Sequence, residues 1–231
     1  MTYDREKILK MLEKAPLNPF DDFHEGKNGD FISAIQYSCF NGNFNYKNGA
    51  TKLVLIPESE EDYVIKIPYT GCWSQEEGFY SNDVYHSGYT DYLEFCNGEG
   101  EENEWDYCEG EVQRYQIAKE NGLEQCFAKT EFVGYINDYP IYVQEKCVTF
   151  SSCSSEHQHS KEERSKTTEC CYYYGINTNW LTDFRLYYGE KFLLKFINFI
   201  QDKYWDDDLR NENIGYCSGR PVLIDYSGFL D

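Results

Sequence analysis

The chain has 231 residues, 41% of them hydrophobic and 18% aromatic, and carries a formal net charge of -20. That length and apolar content suffice for a buried core and exclude general disorder. The acidity argues against nucleic acid or an anionic membrane as partner, since both need clustered Lys and Arg, but not against a nucleotide, whose phosphates one Lys and a divalent cation can neutralise.

The opening "MTYDREKILKMLEKA" is charged throughout and has no apolar run of the secretory kind. "KFLLKFINFI" is interrupted by Lys195 and is too short to span a bilayer. With ten Cys in the chain, the expectation is a reducing cytoplasm and mostly free thiols. The 22 Tyr are expected at core margins, ring packed and hydroxyl wet.

Taken in chain order, Ile8, Leu9 and Leu12 share one side of a helix expected over 4–14. Residues 16–30 read as a loop. "FISAIQYSCF" (31–40), "TKLVLIP" (51–57) and "YVIKIPY" (63–69) read as three strands of an antiparallel meander, with the turn-rich "NGNFNYKNGA" after the first. Residues 70–104 are Gly-rich and acidic and read as a surface insertion. A helix is expected over 105–121, closed by Gly122. "AKTEFVGYI" and "IYVQEKC" add two more strands around the turn "NDYP".

The segment 149–169 is polar and of low complexity, and reads as a mobile linker. Cys153, His157, His159, Cys170 and Cys171 cluster there; zinc is one reading of that cluster and a flexible connection the other, since no standard ligand spacing occurs. Cys108 and Cys126 read as small core residues. One long amphipathic helix is expected over 182–204, with Phe184, Tyr188, Phe192, Phe196 and Ile200 at every fourth position and Thr182 as N-cap. The closing stretch places Ile214 and Val222–Ile224 in two short strands about a turn at Ser218, Gly219 and Arg220, which sets Asp208, Asn213 and Asp225 at the edges of a small hairpin. The whole is an α+β pattern.

Three motifs in this order resemble the protein-kinase-like superfamily. "YVIKIP" resembles the strand that carries the phosphate-contacting lysine, "DLRNEN" resembles the catalytic loop D-L-x-x-x-N, and "LIDYSG" resembles the strand leading into D-F-G. The resemblance implies a two-lobed fold: a five-stranded antiparallel sheet plus helix in an N-lobe over 1–148, the linker 149–169, and a reduced, mainly helical C-lobe over 170–231. It implies ATP and Mg²⁺ as cofactors. Lys66 would lie against the α and β phosphates, Asn213 and Asp225 would be metal ligands, and Asp208 would accept the proton of an incoming hydroxyl.

A helix Glu should pair with the lysine. Glu109 and Glu111 are both available, and Glu111 is preferred because it shares a helical face with Tyr115 and Ala118. Gly49 and Thr51 are candidates for a phosphate loop, although "FNGNFNYKNGATK" does not match G-x-G-x-x-G and a plain hairpin turn fits equally well. The backbone of Glu145 and Cys147 is the expected adenine contact. Asp206 and Asp207 stand where the family carries His-Arg, "DYSG" has an extra residue before its Gly, and no activation segment follows Gly228. The implied function is phosphotransfer from ATP to an unidentified hydroxyl acceptor; the alternative is a catalytically weak or inactive pseudokinase that acts as a nucleotide-binding interaction module with a protein partner.

Overall fold

A computed structural model describes residues 1–13, 35, 45–48, 52–57, 62–68, 79–81, 84–86, 107–136, 139–171, 175–201 and 209–226. These residues form an α+β protein with a five-stranded antiparallel sheet and six α-helices. The chain divides into two compact units, Met1–Val112 with Thr130–Gln144, and Gln113–Lys129 with Glu145–Asp231.

The first unit begins with α1 (Arg5–Glu13). Its sheet contains β1 (Asn45–Asn48), β2 (Lys52–Ile56), β3 (Tyr63–Pro68), β6 (Thr130–Ile136) and β7 (Tyr139–Glu145). The order is β1-β2-β3-β7-β6. A separate hairpin, β4 (Phe79–Ser81) with β5 (Val84–His86), lies within the acidic insertion. Strand alternation sorts the sheet into two faces. Leu53, Leu55, Tyr63, Ile65, Ile67, Ile141 and Val143 face a core completed by Ile8 and Leu12 of α1. Each such burial contributes roughly 1.5–3 kcal/mol. At Gly134, next to a register shift in β6, a Cβ would come within 3.2 Å of Arg5 and 3.3 Å of Leu9, so the missing side chain lets α1 approach the strand. The opposite face of the sheet carries Lys52, Val54 and Lys66, because Val54 pairs with Lys66 across β2 and β3.

Helix α2 (Tyr107–Glu120) ends at Gly122, whose φ of +60° suits a residue without a side chain. The second unit then contains β8 (Val148–Thr149), α3 (Phe150–Cys153), α4 (Lys161–Cys170), α5 (Thr178–Tyr188), α6 (Glu190–Gln201), β9 (Ile214–Cys217) and β10 (Arg220–Leu223). Its strands order as β10-β9-β8. The core of this unit is aromatic: Phe127, Phe150, Trp180, Phe184, Phe196 and Tyr226 are all at most 1% exposed. Ser218 and Gly219, with φ of +50° and +78°, make the two-residue turn between β9 and β10.

Three sequence expectations are corrected. The first strand was expected over 31–40, but β1 lies at Asn45–Asn48, inside the stretch read as turn; from 31–40 only Ile35 is described, and its backbone is helical. The 149–169 segment is not a polar linker but contains β8, α3 and α4. Its helix is held by polar contacts that apolar spacing cannot reveal. Ser160 caps α4 by accepting from the Glu163 N–H at 3.2 Å, Arg185 donates to Glu163 at 2.8 Å, and Thr167 bonds Thr182 at 3.0 Å. The long helix expected over 182–204 is two helices, broken at Gly189, which adopts φ 89° and ψ 160°. Asn177 caps α5, whereas Thr182 is buried within it and donates to the Thr178 carbonyl at 2.8 Å.

Candidate functional site

In the first unit, one carboxylate gathers a side chain from each of four adjacent strands. Lys66 of β3 donates to both oxygens of Glu111, at 2.8 Å each. Lys52 of β2 donates to Glu111 Oε1 at 2.6 Å. Thr130 of β6 and Gln144 of β7 each donate to Oε2 at 3.1 Å, and Gln144 also donates to Thr130 Oγ1 at 2.8 Å. Glu111 is 0% exposed, and the two lysines 4% or less. A buried carboxylate is costly unless its lone pairs are all met, and here two ammoniums and two neutral donors meet them. Of the two helix carboxylates left open by the sequence, Glu111 is the one paired with Lys66; Glu109 is exposed.

The sequence reading named Lys66 and Glu111 but missed Lys52, Thr130 and Gln144. A Lys at the start of "KLVLI" reads as a solvent-facing strand end. The available signal was parity: Lys52 falls on the same side of β2 as Val54, and Val54 lies opposite Lys66.

The second unit brings Asn213 and Asp225 together. The N–H groups of Ile224 and Asp225 both donate to the Asn213 carbonyl, at 2.7 and 3.4 Å. Asn213 is itself set by a turn in which its N–H donates to the Arg210 carbonyl at 2.9 Å. Trp180 anchors the hairpin by donating from Nε1 to the Gly215 carbonyl at 3.1 Å. Asp208, Gly49 and Thr51 lie outside the described residues.

Glu145 and Cys147 are both fastened to the β9–β10 hairpin or its surroundings. The Glu145 carboxylate accepts from Arg220 and from the Lys129 N–H, at 2.9 Å each, and the Glu145 N–H donates to the Lys129 carbonyl at 3.0 Å. Cys147 forms a disulfide with Cys217, a pairing that the expectation of mostly free thiols did not include. Cys126, Cys153, Cys170 and Cys171 are free thiols. Cys108 and Cys126 are fully buried, and burial pushes the Cys126 thiol far up.

The Cys/His cluster does not converge. His157 and His159 instead share Asp183, at 3.0 Å to Oδ2 and 2.9 Å to Oδ1, and Tyr216 donates to Oδ2 at 2.5 Å. Burial and the Asp183 hydrogen bond both push the Tyr216 hydroxyl up. Among the described residues, no group of three or more His, Cys, Asp or Glu is arranged to hold a metal, and no helix is long and apolar enough to cross a membrane.

Compared with family models, curated proteins and solved structures, the chain shows no match.

Proposed function

We propose that the chain is a kinase-like protein that binds ATP and Mg²⁺ and transfers a phosphoryl group to a hydroxyl acceptor. The observation that carries this reading is the buried Lys66–Glu111 pair, with the lysine in an apolar strand and the carboxylate on the helix that follows in the chain. A lysine fixed this way presents an oriented ammonium to an α or β phosphate without paying its ordering cost at the moment of binding. Glu111 is the group that orients it.

Asn213 and Asp225 suit Mg²⁺ in their chemistry: both offer hard oxygens, and their backbones are joined. Two protein ligands do not complete an octahedron, so phosphate oxygens and water would fill the rest. Bound Mg²⁺ supplies charge neutralisation on the phosphates. Asp208 accepts the acceptor's proton as its oxygen bonds the γ phosphorus, and the bond from that phosphorus to the bridging oxygen breaks, releasing ADP. For the base, the groups proposed are the Glu145 carbonyl and the Cys147 N–H.

A second reading is a nucleotide-binding pseudokinase acting through a protein partner. The sequence favours it at two places: Asp206 and Asp207 precede Asp208, and 40–52 lacks G-x-G-x-x-G. Melting with ATP, with and without Mg²⁺, on wild type and Asp225→Ala tests the binding that both readings share. Ligand at 100 times its Kd adds about 2.7 kcal/mol of stability. No ATP-dependent shift in wild type would end both readings. Asp208→Asn then separates them: phosphotransfer predicts lost turnover at nearly unchanged ATP affinity, whereas the pseudokinase predicts no turnover in either protein.

A further inference from the structure

The sulfurs of Cys147 and Cys217 take no part in the nucleotide reading. β8 pairs with β9 through Val148 with Tyr216 and Thr149 with Gly215, so the residue before β8, Cys147, stands opposite Cys217. Their Cα atoms are 4.4 Å apart, the spacing of a close antiparallel pair. The ladder itself brings the two sulfurs together, so the bond can open and re-form without moving the backbone. Other contacts hold both chains in place: Arg220 of β10 bonds Glu145 at 2.9 Å, and Trp180 holds the Gly215 carbonyl at 3.1 Å. The Glu145 carbonyl lies 3.3 Å from Cys147 Sγ, an acceptor already in place for the thiol once the bond opens. The two sulfurs differ in access. Cys147 is half-buried between the exposed Lys146 and Val148, whereas Cys217 is 4% exposed and packed with Ala128 and Val222. Among the described free thiols, Cys126, Cys153 and Cys171 are at most 8% exposed, and burial raises Cys170 to about 11.

We propose that Cys147–Cys217 is a reversible thiol–disulfide exchange site, at which a small monothiol of the glutathione class enters at Cys147 and Cys217 is the sulfur that leaves and returns. A glutathione thiolate attacks Cys147 Sγ. The new S–S bond forms as the Cys147–Cys217 bond breaks, and Cys217 departs as a thiolate that takes up a proton from water. A second glutathione thiolate attacks the glutathione sulfur of this mixed disulfide, releases glutathione disulfide and leaves Cys147 as a thiol. The protein disulfide has then gained two electrons, supplied by the two glutathiones, and glutathione disulfide runs both steps backward. Access selects the sulfur attacked, because the incoming thiolate must approach along the S–S axis and only Cys147 borders solvent. The site does not depend on nucleotide binding.

The test incubates the full chain, without denaturant, in mixtures of glutathione and glutathione disulfide graded from oxidising to reducing. Samples are quenched in acid, alkylated and read by peptide mass spectrometry, with near-UV circular dichroism following the fold. The expected result is a linked Cys147–Cys217 peptide at the oxidising end, two free thiols at the reducing end, recovery of the link on return, and a native spectrum throughout. Early quenches should carry glutathione on the Cys147 peptide at least about tenfold more than on the Cys217 peptide. Cys217→Ser should accumulate glutathione at Cys147 from glutathione disulfide, and Cys147→Ser should label Cys217 about tenfold more slowly. Should either variant fail to fold, the early quench of wild type decides. The proposal is overturned by a link that survives the reducing end until urea unfolds the chain, by loss of the native spectrum on reduction, by equal glutathione on Cys217 and Cys147, or by no linked peptide at the oxidising end.

Discussion

Lys66 grips both oxygens of Glu111 at 2.8 Å, while Lys52 holds one of the same oxygens at 2.6 Å. The carboxylate is therefore the hub and each lysine a spoke. Removing a hub strands more charge than removing a spoke, and that asymmetry gives the first prediction.

Glu111→Ala should destabilise the protein by about 3–5 kcal/mol, the usual cost of leaving buried charge uncompensated. Lys66→Met should cost clearly less, because Glu111 still receives Lys52, Thr130 and Gln144. Urea unfolding of both variants measures the order; equal losses would show that the carboxylate is not the hub.

Gly215→Ala should be severely destabilising. A Cβ there would run into the Val148 carbonyl oxygen and lie 2.7 Å from Ile224 Cδ1 and 2.9 Å from Thr149 Cα. Two of these obstacles are backbone atoms of the paired strand β8, which cannot move aside without breaking the ladder. The expected loss is about 3 kcal/mol, read as a lowered unfolding midpoint. A midpoint equal to wild type would contradict the close approach of β8 and β9.

Gly189→Ala tests the break between α5 and α6. Nothing lies within 4 Å of the added methyl, so any cost comes from the backbone angles alone, φ 89° and ψ 160°. A non-glycine residue in that region costs about 1–3 kcal/mol. A stabilised variant with increased helicity by circular dichroism would mean that the two helices join into one.

The Glu163 carboxyl is held below its usual 4.5, first by the Lys166 hydrogen bond and then by the one from Arg185. A depressed carboxyl contributes stability above its unfolded value and loses it as pH falls through the lower folded value. Glu163→Gln should therefore melt lower than wild type at pH 6 and show a shallower decline between pH 5 and pH 3. Parallel melting curves over that range would refute the assignment.

Cys170 should alkylate slowly at neutral pH. Burial, then the hydrogen bond with Glu190, raises its thiol to about 11. Its rate with iodoacetamide, followed by peptide mass spectrometry, should rise about tenfold per pH unit from 7 to 10, as the thiolate fraction does. A rate that levels off near pH 8 would contradict the raised thiol.

How legible all this was in the sequence depended on what held each element. Strands β2, β3, β6 and β7 show apolar alternation, and α2 ends on a glycine, so both were readable. Helix α4 has no apolar stripe; Ser160 caps it locally through Glu163, and it is docked by Arg185, which is distant in sequence from its partners Glu163 and Thr167. The every-fourth-residue aromatic spacing ran straight through Gly189 because α5 and α6 both contribute to one aromatic core, through Phe184 and Phe196. Glu111 was legible from helical phase. Lys52 required the register between β2 and β3, which one strand's pattern does not contain.

The path of the chain has a practical outcome for anyone dissecting the molecule. Residues 130–144 return to the first unit after 113–129 have already joined the second. No single cut therefore yields two intact pieces. A fragment ending at Val112 would lack β6 and β7, exposing the rim of β3 to intermolecular pairing and stripping Glu111 of Thr130 and Gln144. On a ribosome β1, β2 and β3 can pair early, but the rim of β3 must wait for β7 until residue 144 has emerged.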